Sequence, residues 1–96
     1  MAKKSAGKVA LNEWARGFGL LSDSTRLGIL TLLRRGPKNV TALCKALRQK
    51  QPTVSHHLGL LRMGRLVNGT RKGKSVIYTI DKAAVKALAA ACKKLS

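Results

Sequence analysis

The stretch TALCKALRQKQPTVSHHLGLLRM, residues 41–63, decides the fold of this chain. Pro52 favours the first position of a helix, because its missing N–H would have no partner there in any case. Val54, Leu58 and Leu61 then follow at the spacing i, i+4 and i+7, which places them on one side of a helix. The second half of the stretch therefore predicts an amphipathic helix with an apolar side and a polar side.

The first half of the same stretch predicts a shorter helix and a tight turn. Thr41 is a residue type whose side chain caps helices, and Leu43, Ala46 and Leu47 recur on the expected buried side. The polar residues 48–51 then separate the two helices. A short helix, a turn and a second helix form the unit that places one helix in the major groove of DNA.

On either side of this unit, helical periodicity, capping residues and glycine-bearing turns predict further elements. The predicted fold class is mainly α with a small β-hairpin: a winged helix-turn-helix domain over residues 9–96, in the order helix-helix-helix-helix-hairpin-helix, after a basic flexible arm at residues 1–8. The added elements are a first helix from Val9 to Leu21, a second helix capped by Asp23 or Ser24 and stopped at Gly36-Pro37, a hairpin of Leu66-Val67 and Ser75–Ile80 around a polar connection of residues 68–74, and a last helix from an Asp81 cap to about Leu95.

The buried sides of two of these helices follow from the same periodicity. In the second helix, either Leu27, Leu30 and Leu33 or Ile29 and Leu33 face the core. In the last helix, the predicted apolar stripe is Val85, Leu88, Ala89 and Cys92.

The charge of the chain is strongly positive, with 20 Lys and Arg residues against 3 Asp and Glu residues and a formal net charge of +17. Between Ser24 and Ile80 there is no acidic residue, while twelve Lys and Arg residues occur. A charge of this size indicates an anionic partner, which is nucleic acid, an anionic membrane surface or an acidic protein. The content of 45% hydrophobic residues is that of a folded domain, not of a disordered basic tail.

The length, the apolar runs and the cysteine content of the chain indicate where in the cell the protein is found. The 96 residues suit a single domain. No run approaches the ~20 apolar residues of a membrane span, and no apolar signal-peptide core follows the basic start. The two cysteines, Cys44 and Cys92, are too few for a disulfide scaffold and fit a reducing environment. We therefore expect a cytoplasmic protein without a membrane partner.

The polar side of the helix after Pro52 carries the candidate base-reading residues Gln51, Thr53, Ser55 and His56. Their amide, hydroxyl and imidazole groups donate and accept hydrogen bonds, as the base edges in the major groove of double-stranded DNA require. The alternative is a polar side that is simply solvated. For His57, packing at the edge of the core is favoured over the alternative of base reading.

Basic side chains flank the base-reading residues and occupy the hairpin. This division suits phosphates that are held at the edges while bases are read at the centre. The hairpin tip either lies along the DNA backbone or reaches into the minor groove. The candidate phosphate and wing contacts are Arg48, Lys50, Arg62, Arg71, Lys72 and Lys74.

The first and last helices carry apolar and small side chains that a helix-turn-helix core does not need. Small domains have marginal cores, and pairing two copies buries more surface. We therefore expect a homodimer. The candidate interface residues are Leu11, Trp14, Phe18, Val85, Leu88 and Cys92.

Five blocks of this sequence together resemble the ArsR/SmtB family of winged-helix repressors. The resemblance extends from about Leu11 to Ala90. It implies homodimers that pair through the first and last helices, bind an imperfect palindrome over a promoter, and place the candidate base-reading residues in the groove. It also implies release of DNA when a metal or an oxidant arrives. The blocks are SDSTRLGIL at residues 22–30, QPTVSHHL at 51–58, LV at 66–67, RKGK at 71–74 and IY at 77–78.

Two departures from the family pattern concern the inducer. Many members carry a Cys-x-Cys metal motif at the start of the third helix, where this chain reads KNVTALC at residues 38–44. Others use Asp and His residues on the last helix, where this chain has Asp81 and no His. Because a metal site needs several converging ligands, no metal and no other cofactor is expected. Redox sensing by Cys44 or Cys92 stays open, although a structural role is expected for both, and the sequence does not indicate a small-molecule inducer.

Three classes of function remain to be compared. The predicted function is a sequence-specific transcriptional repressor that binds a palindromic operator as a homodimer. The alternative is a low-specificity architectural or nucleoid-type DNA-binding protein, which the size of the charge favours. No catalytic residue and no enzyme activity is expected, since three scattered carboxylates and two adjacent histidines offer no paired acid and base in a pocket.

Overall fold

The helices and the hairpin follow one another in the predicted order in this computed structural model, which describes the backbone of residues 2–95 and the side chains of residues 11–95. One short strand before the third helix is added to that order. No helix within residues 2–95 combines the length and the apolar character needed to cross a bilayer. The elements are α1 (Ala2–Leu20), α2 (Ser24–Arg34), β1 (Lys38–Asn39), α3 (Val40–Leu47), α4 (Gln51–Met63), β2 (Val67–Lys72), β3 (Ser75–Ile80) and α5 (Lys82–Leu95).

Aspartate caps set the beginnings of α2 and α5. Asp23 accepts a hydrogen bond from the backbone N–H of Arg26 at 3.0 Å, which identifies Asp23 and not Ser24 as the cap of α2. Asp81 accepts one from the backbone N–H of Ala84 at 3.0 Å. Each bond satisfies an N–H group that has no partner within its own helix.

The cap of α3 is not the predicted Thr41. The helix begins at Val40, and Asn39 in an extended conformation precedes it, with its side-chain oxygen 2.8 Å from the backbone N–H of Ala42. Thr41 therefore lies within the first turn of the helix. Ala46, which was expected on the buried side, is exposed because the short helix meets the core mainly through Leu43.

A three-stranded antiparallel sheet has the strand order β1-β3-β2, with β1 before the α3–α4 unit and the other two strands after it. β1 pairs with β3 through Lys38 opposite Tyr78 and Asn39 opposite Ile77. Two residues are too short for the alternation that identifies strands, so β1 has no signal in the sequence.

β2 is longer than predicted and takes up most of the connection expected over residues 68–74. It runs to Lys72, and the turn to β3 contains only Gly73 and Lys74. Gly69 lies opposite Tyr78, and a Cβ added at Gly69 would come within 3.1 Å of the Tyr78 ring. The ring thus covers the glycine, which allows this residue to remain in a strand.

The core lies between α2, α3, α4 and the start of β2. Val54, Leu58 and Leu61 are fully buried, as predicted. The buried side of α2 takes residues from both predicted alternatives. Ile29, Leu30 and Leu33 are buried, whereas Leu27 is 46% exposed. The buried hydrophobic side chains are Ile29, Leu30, Leu33, Leu43, Val54, Leu58, Leu61, Leu66, Val67, Leu88 and Ala91.

α1 extends further toward the start of the chain than predicted, from Ala2 and not from Val9. The flexible arm predicted at residues 1–8 stays a prediction, because Met1 and the side chains of residues 2–10 lie outside the described part of the chain.

α5 packs on α1 through a close contact between Leu88 and Gly17. A Cβ added at Gly17 would lie 2.5 Å from a terminal methyl of Leu88, so any larger residue here would require the Leu88 side chain to shift. α5 buries Leu88 and Ala91, whereas Ala89 and Cys92 of the predicted stripe are exposed. The reason is that the small core meets only one side of this helix.

Candidate nucleic-acid interface

The turn between α3 and α4 sets the direction of the second helix. Arg48 has a left-handed backbone conformation with φ 54°, and the N–H of Gln49 returns to the carbonyl oxygen of Cys44 at 3.1 Å. Lys50 then precedes α4 in an extended conformation without a side-chain cap. The helix starts at Gln51, with Pro52 in its first turn, one residue earlier than predicted.

Side chains far apart in sequence hold this turn against α2. Gln49 and the buried Thr25, which are 24 positions apart in the sequence, are hydrogen-bonded through their side chains. No sequence pattern relates these two residues to each other, because the contact arises only from the packing of α2 on the turn.

The start of α4 presents polar side chains to solvent. All four candidate base-reading residues are exposed, while Val54 and Leu58 from the same turns are buried. The helix is thus fixed by its apolar side, and its polar side is left available for hydrogen bonds. The exposed residues are Gln51, Thr53, Ser55 and His56.

His57 faces the protein, as expected, and not the solvent. Its Nδ1 lies 3.2 Å from the NH1 nitrogen of Arg26 and 3.8 Å from a carboxylate oxygen of Asp23. The backbone N–H of Arg26 is the main cause that lowers the pKa of Asp23, and the positive charge of Arg26 acts in the same direction. Partial burial opposes them.

The candidate phosphate contacts lie around this helix and on the hairpin, and all six are exposed. Arg48 and Lys50 precede α4, and Arg62 lies in its last turn. Arg71 and Lys72 end β2, and Lys74 follows Gly73, which takes the positive φ of 63° that this two-residue turn requires. The hairpin therefore carries its positive charge at the tip.

The chain is similar in sequence and in fold to known proteins. The family model described as bacterial regulatory protein, arsR family, matches residues 23–69. The chain is 47% identical over 60 residues to the HTH-type transcriptional regulator NmtR of Mycobacterium tuberculosis, an alignment that covers 62% of this chain and 50% of NmtR. It is 31% identical over 64 residues to the transcriptional repressor SdpR of Bacillus subtilis, covering 67% of this chain and 71% of SdpR.

The chain belongs to the ArsR family. A solution structure from Mycobacterium bovis, described as a homodimeric winged helix-turn-helix DNA-binding domain, superposes with a TM-score of 0.77 at 32% identity, covering 99% of this chain and 85% of that one. The winged helix-turn-helix fold and the family predicted from the sequence are therefore confirmed. Membership in a family of regulatory proteins also agrees with the expectation that the chain is not an enzyme.

In this ArsR-family chain, α1 and α5 leave an open apolar groove of about 170 Å³ between them. Leu11 is 57% exposed, and Trp14, Phe18 and Val85 are half-buried. Leu88 already belongs to the core of the single chain, so it supports the groove from below. The groove is lined by Phe18, Leu21, Val85, Leu88, Ala89 and Cys92.

The cysteines of this ArsR-family chain lie on different elements and are both free. Cys44 is half-buried on α3, and Cys92 is exposed at the edge of the α1–α5 groove. Within the part of the chain that the structure describes, no three His, Cys, Asp or Glu residues come together as a metal site would require. The structure thus exposes the candidate base-reading and wing residues, and the residues it describes form no group of metal ligands.

Proposed function

We propose that this ArsR-family chain is a transcriptional repressor that reads a palindromic DNA operator as a homodimer. The observation that carries the proposal is the exposure of Gln51, Thr53, Ser55 and His56 at the start of α4, on a helix whose opposite side is locked into the core. Side chains of these types form the base-edge hydrogen bonds that distinguish one DNA sequence from another in the major groove.

Electrostatics support double-stranded DNA as the partner. Basic residues precede and follow the four polar residues of α4 and occupy the hairpin tip. No acidic residue occurs between Ser24 and Ile80. Contacts from Lys and Arg to phosphates position a protein on the duplex without reading its sequence. The four polar residues then specify which site is bound, and the basic residues supply much of the affinity.

The α1–α5 groove supports the homodimer. Its apolar lining and the exposed Leu11 on α1 suit a second copy, because burying apolar surface stabilises association. The similar structure from Mycobacterium bovis is itself described as homodimeric. A two-fold dimer presents two copies of α4, which explains why the operator should be palindromic.

Selection of bound DNA from a random pool, repeated at about 50 and about 200 mM salt, tests the proposal. We expect enrichment of a palindrome that is still bound at the higher salt concentration. A double variant, Thr53→Ala with Ser55→Ala, is the matched comparison, since it should bind DNA while losing base preference. If no sequence is enriched and binding is lost at the higher salt concentration, the proposed repressor function is overturned.

That second outcome would support the alternative, a low-specificity architectural DNA-binding protein. The observation that favours it is the formal charge of +17 on 96 residues, which exceeds what solubility requires. The ratio of specific to non-specific affinity separates the two, because specific regulators prefer their sites by about 10³-fold to 10⁷-fold.

A further inference from the structure

The guanidinium of Arg26 lies where α1, α2 and α4 meet. Its Nε donates to the carbonyl oxygen of Leu20 at 2.7 Å, and NH2 lies 3.5 Å from the carbonyl oxygen of Gly19. Both carbonyl groups belong to the last turn of α1. The Gly19 carbonyl also accepts from the backbone N–H of Ser22 at 3.2 Å and from the Ser22 hydroxyl at 2.6 Å, so the Leu20 carbonyl is the main partner of Arg26 there. One side of the guanidinium therefore binds carbonyl groups at the end of α1.

The other side of the same guanidinium binds α4. NH1 of Arg26 lies 3.2 Å from Nδ1 of His57. Because Arg only donates hydrogen bonds, Nδ1 is the acceptor and carries no proton in this arrangement. His57 immediately follows His56 and is two residues from Ser55, so the bond acts on the part of α4 that carries the candidate base-reading residues.

Arginine is the residue type that this junction requires. The planar guanidinium has donors that point in fixed and different directions, so it can bind α1 and α4 at once, whereas a lysine ammonium on a flexible stem cannot hold both in one geometry. The backbone of Arg26 is fixed as well, since its N–H donates to Asp23 at the cap of α2.

We propose that Arg26 is a positioning residue that holds the recognition helix α4 at a fixed distance from α1, and thereby sets the half-site spacing that the dimer accepts. The inference rests on the proposed function, in which α1 contacts the partner copy and α4 enters the groove. Two recognition helices of a dimer must match two half-sites about one helical turn apart. The Arg26 junction connects the helix at the dimer interface to the helix on the DNA.

Binding to a series of operators with altered spacing tests the proposal. Starting from the selected palindrome, one base pair is added or removed at its centre, which changes the separation of the half-sites by about 3.4 Å and their relative rotation by about 34°. We expect the wild-type chain to bind the altered operators at least about fivefold more weakly, the scale of one unfavourable base pair.

Three variants isolate the junction. Arg26→Lys keeps the charge and loses the fork, and His57→Leu removes the acceptor while leaving the Arg26 bonds to α1 in place. Both should discriminate between spacings by less than about twofold, a difference smaller than that of one mismatch. His57→Gln restores an acceptor oxygen and should keep the discrimination. Arg34→Lys, an exposed arginine at the end of the same helix, is the matched control and should behave as wild type.

Sedimentation and urea unfolding establish whether each variant is a folded dimer. Folded dimers of Arg26→Lys and His57→Leu that discriminate spacings like the wild type would overturn the proposal. If Arg26→Lys does not fold, the spacing discrimination of His57→Leu tests the proposal. If His57→Leu does not fold either, the Arg26–His57 pair serves stability alone, and the proposal is overturned. If the wild-type chain prefers no sequence at all, the proposed repressor function fails first, and the role of Arg26 falls with it.

Discussion

Thr25 in α2 and Gln49 in the turn before α4 are joined through their side chains. Nε2 of Gln49 donates to Oγ1 of Thr25 at 3.0 Å, and Oγ1 lies 3.3 Å from Oε1 of the same amide. Thr25 is only 9% exposed, so water does not readily replace this partner. The pair fixes the turn of the helix-turn-helix unit to the helix that packs behind it.

Thr25→Val should lower the free energy of unfolding by about 1–2 kcal/mol, because the isosteric change leaves the Gln49 amide part-buried without its partner. Urea denaturation measures the loss. Thr31→Val is the matched control on the same helix, since the exposed Thr31 hydroxyl donates only to the Leu27 carbonyl at 2.8 Å. We expect a change within about 0.5 kcal/mol there. Equal losses in the two variants would contradict a specific role for the Thr25–Gln49 pair.

Features that depend on neighbouring residues were predictable from the sequence. The buried side of α4, the Asp81 cap and the two strands of the hairpin all follow from local periodicity and residue type. The polar, exposed side of α4 follows equally, because it is what remains when the apolar side faces the core. The family resemblance added the order of elements around this unit.

Features that depend on contacts between distant segments were not predictable. The pairing of Thr25 with Gln49 and of Arg26 with His57 joins residues more than twenty positions apart, and no motif relates them. The four residues of the predicted α5 stripe do line one groove, but the extent of their burial was not predictable for a related reason. Periodicity identifies an apolar side, but only the size of the core decides that Leu88 is buried while Cys92 stays at an open groove.

Two glycines of α1 should respond oppositely to alanine. Gly19→Ala meets nothing within 4 Å, so it should stabilise the protein by up to about 1 kcal/mol through helix propensity. Gly17→Ala gains the same propensity, but its Cβ would lie 2.5 Å from Leu88, and overpacking of this kind costs about 1–3 kcal/mol. We therefore expect Gly17→Ala to be neutral or destabilising in thermal unfolding. An equal gain in both variants would show that Leu88 moves aside without cost.

Asp23 should make stability depend on pH in the acid range. Its pKa lies below the usual 3.8, chiefly because the backbone N–H of Arg26 donates to it. A carboxyl group with a lowered pKa contributes its stabilisation fully above the pKa of the unfolded chain and loses it as the pH falls through the lower folded value. The contribution of Asp23 is thus present above pH 3.8 and disappears below it.

Asp23→Asn isolates this contribution, since asparagine also caps helices but does not titrate. Unfolding in urea from about pH 6 to about pH 2 should show a steeper acid loss for the wild type than for the variant, beginning near the unfolded-chain value. Parallel pH profiles for the two proteins would exclude Asp23 as a source of the acid dependence.

Lys72 at the hairpin tip should contribute affinity without sequence preference. If Lys72 contacts one phosphate in each half of the dimer, Lys72→Ala weakens binding to all sequences and makes the slope of log K against log salt shallower by about 2. Thr53→Ala should do the opposite, relaxing base preference by about 1–3 kcal/mol at one position while the salt slope stays the same. Fluorescence anisotropy on the selected operator and on a random duplex, at several salt concentrations, measures both.

Lys86→Ala on α5 is the matched control for the lost charge, because Lys86 is exposed on the helix that packs mainly on α1. It removes one positive charge per chain, as Lys72→Ala does, but outside the proposed DNA surface, so it should leave the salt slope unchanged. If Lys86→Ala flattened the slope as much as Lys72→Ala, the duplex would be responding to the total charge of the protein. The hairpin would then have no defined place on the DNA, and the base preference of α4 alone would have to fix the register.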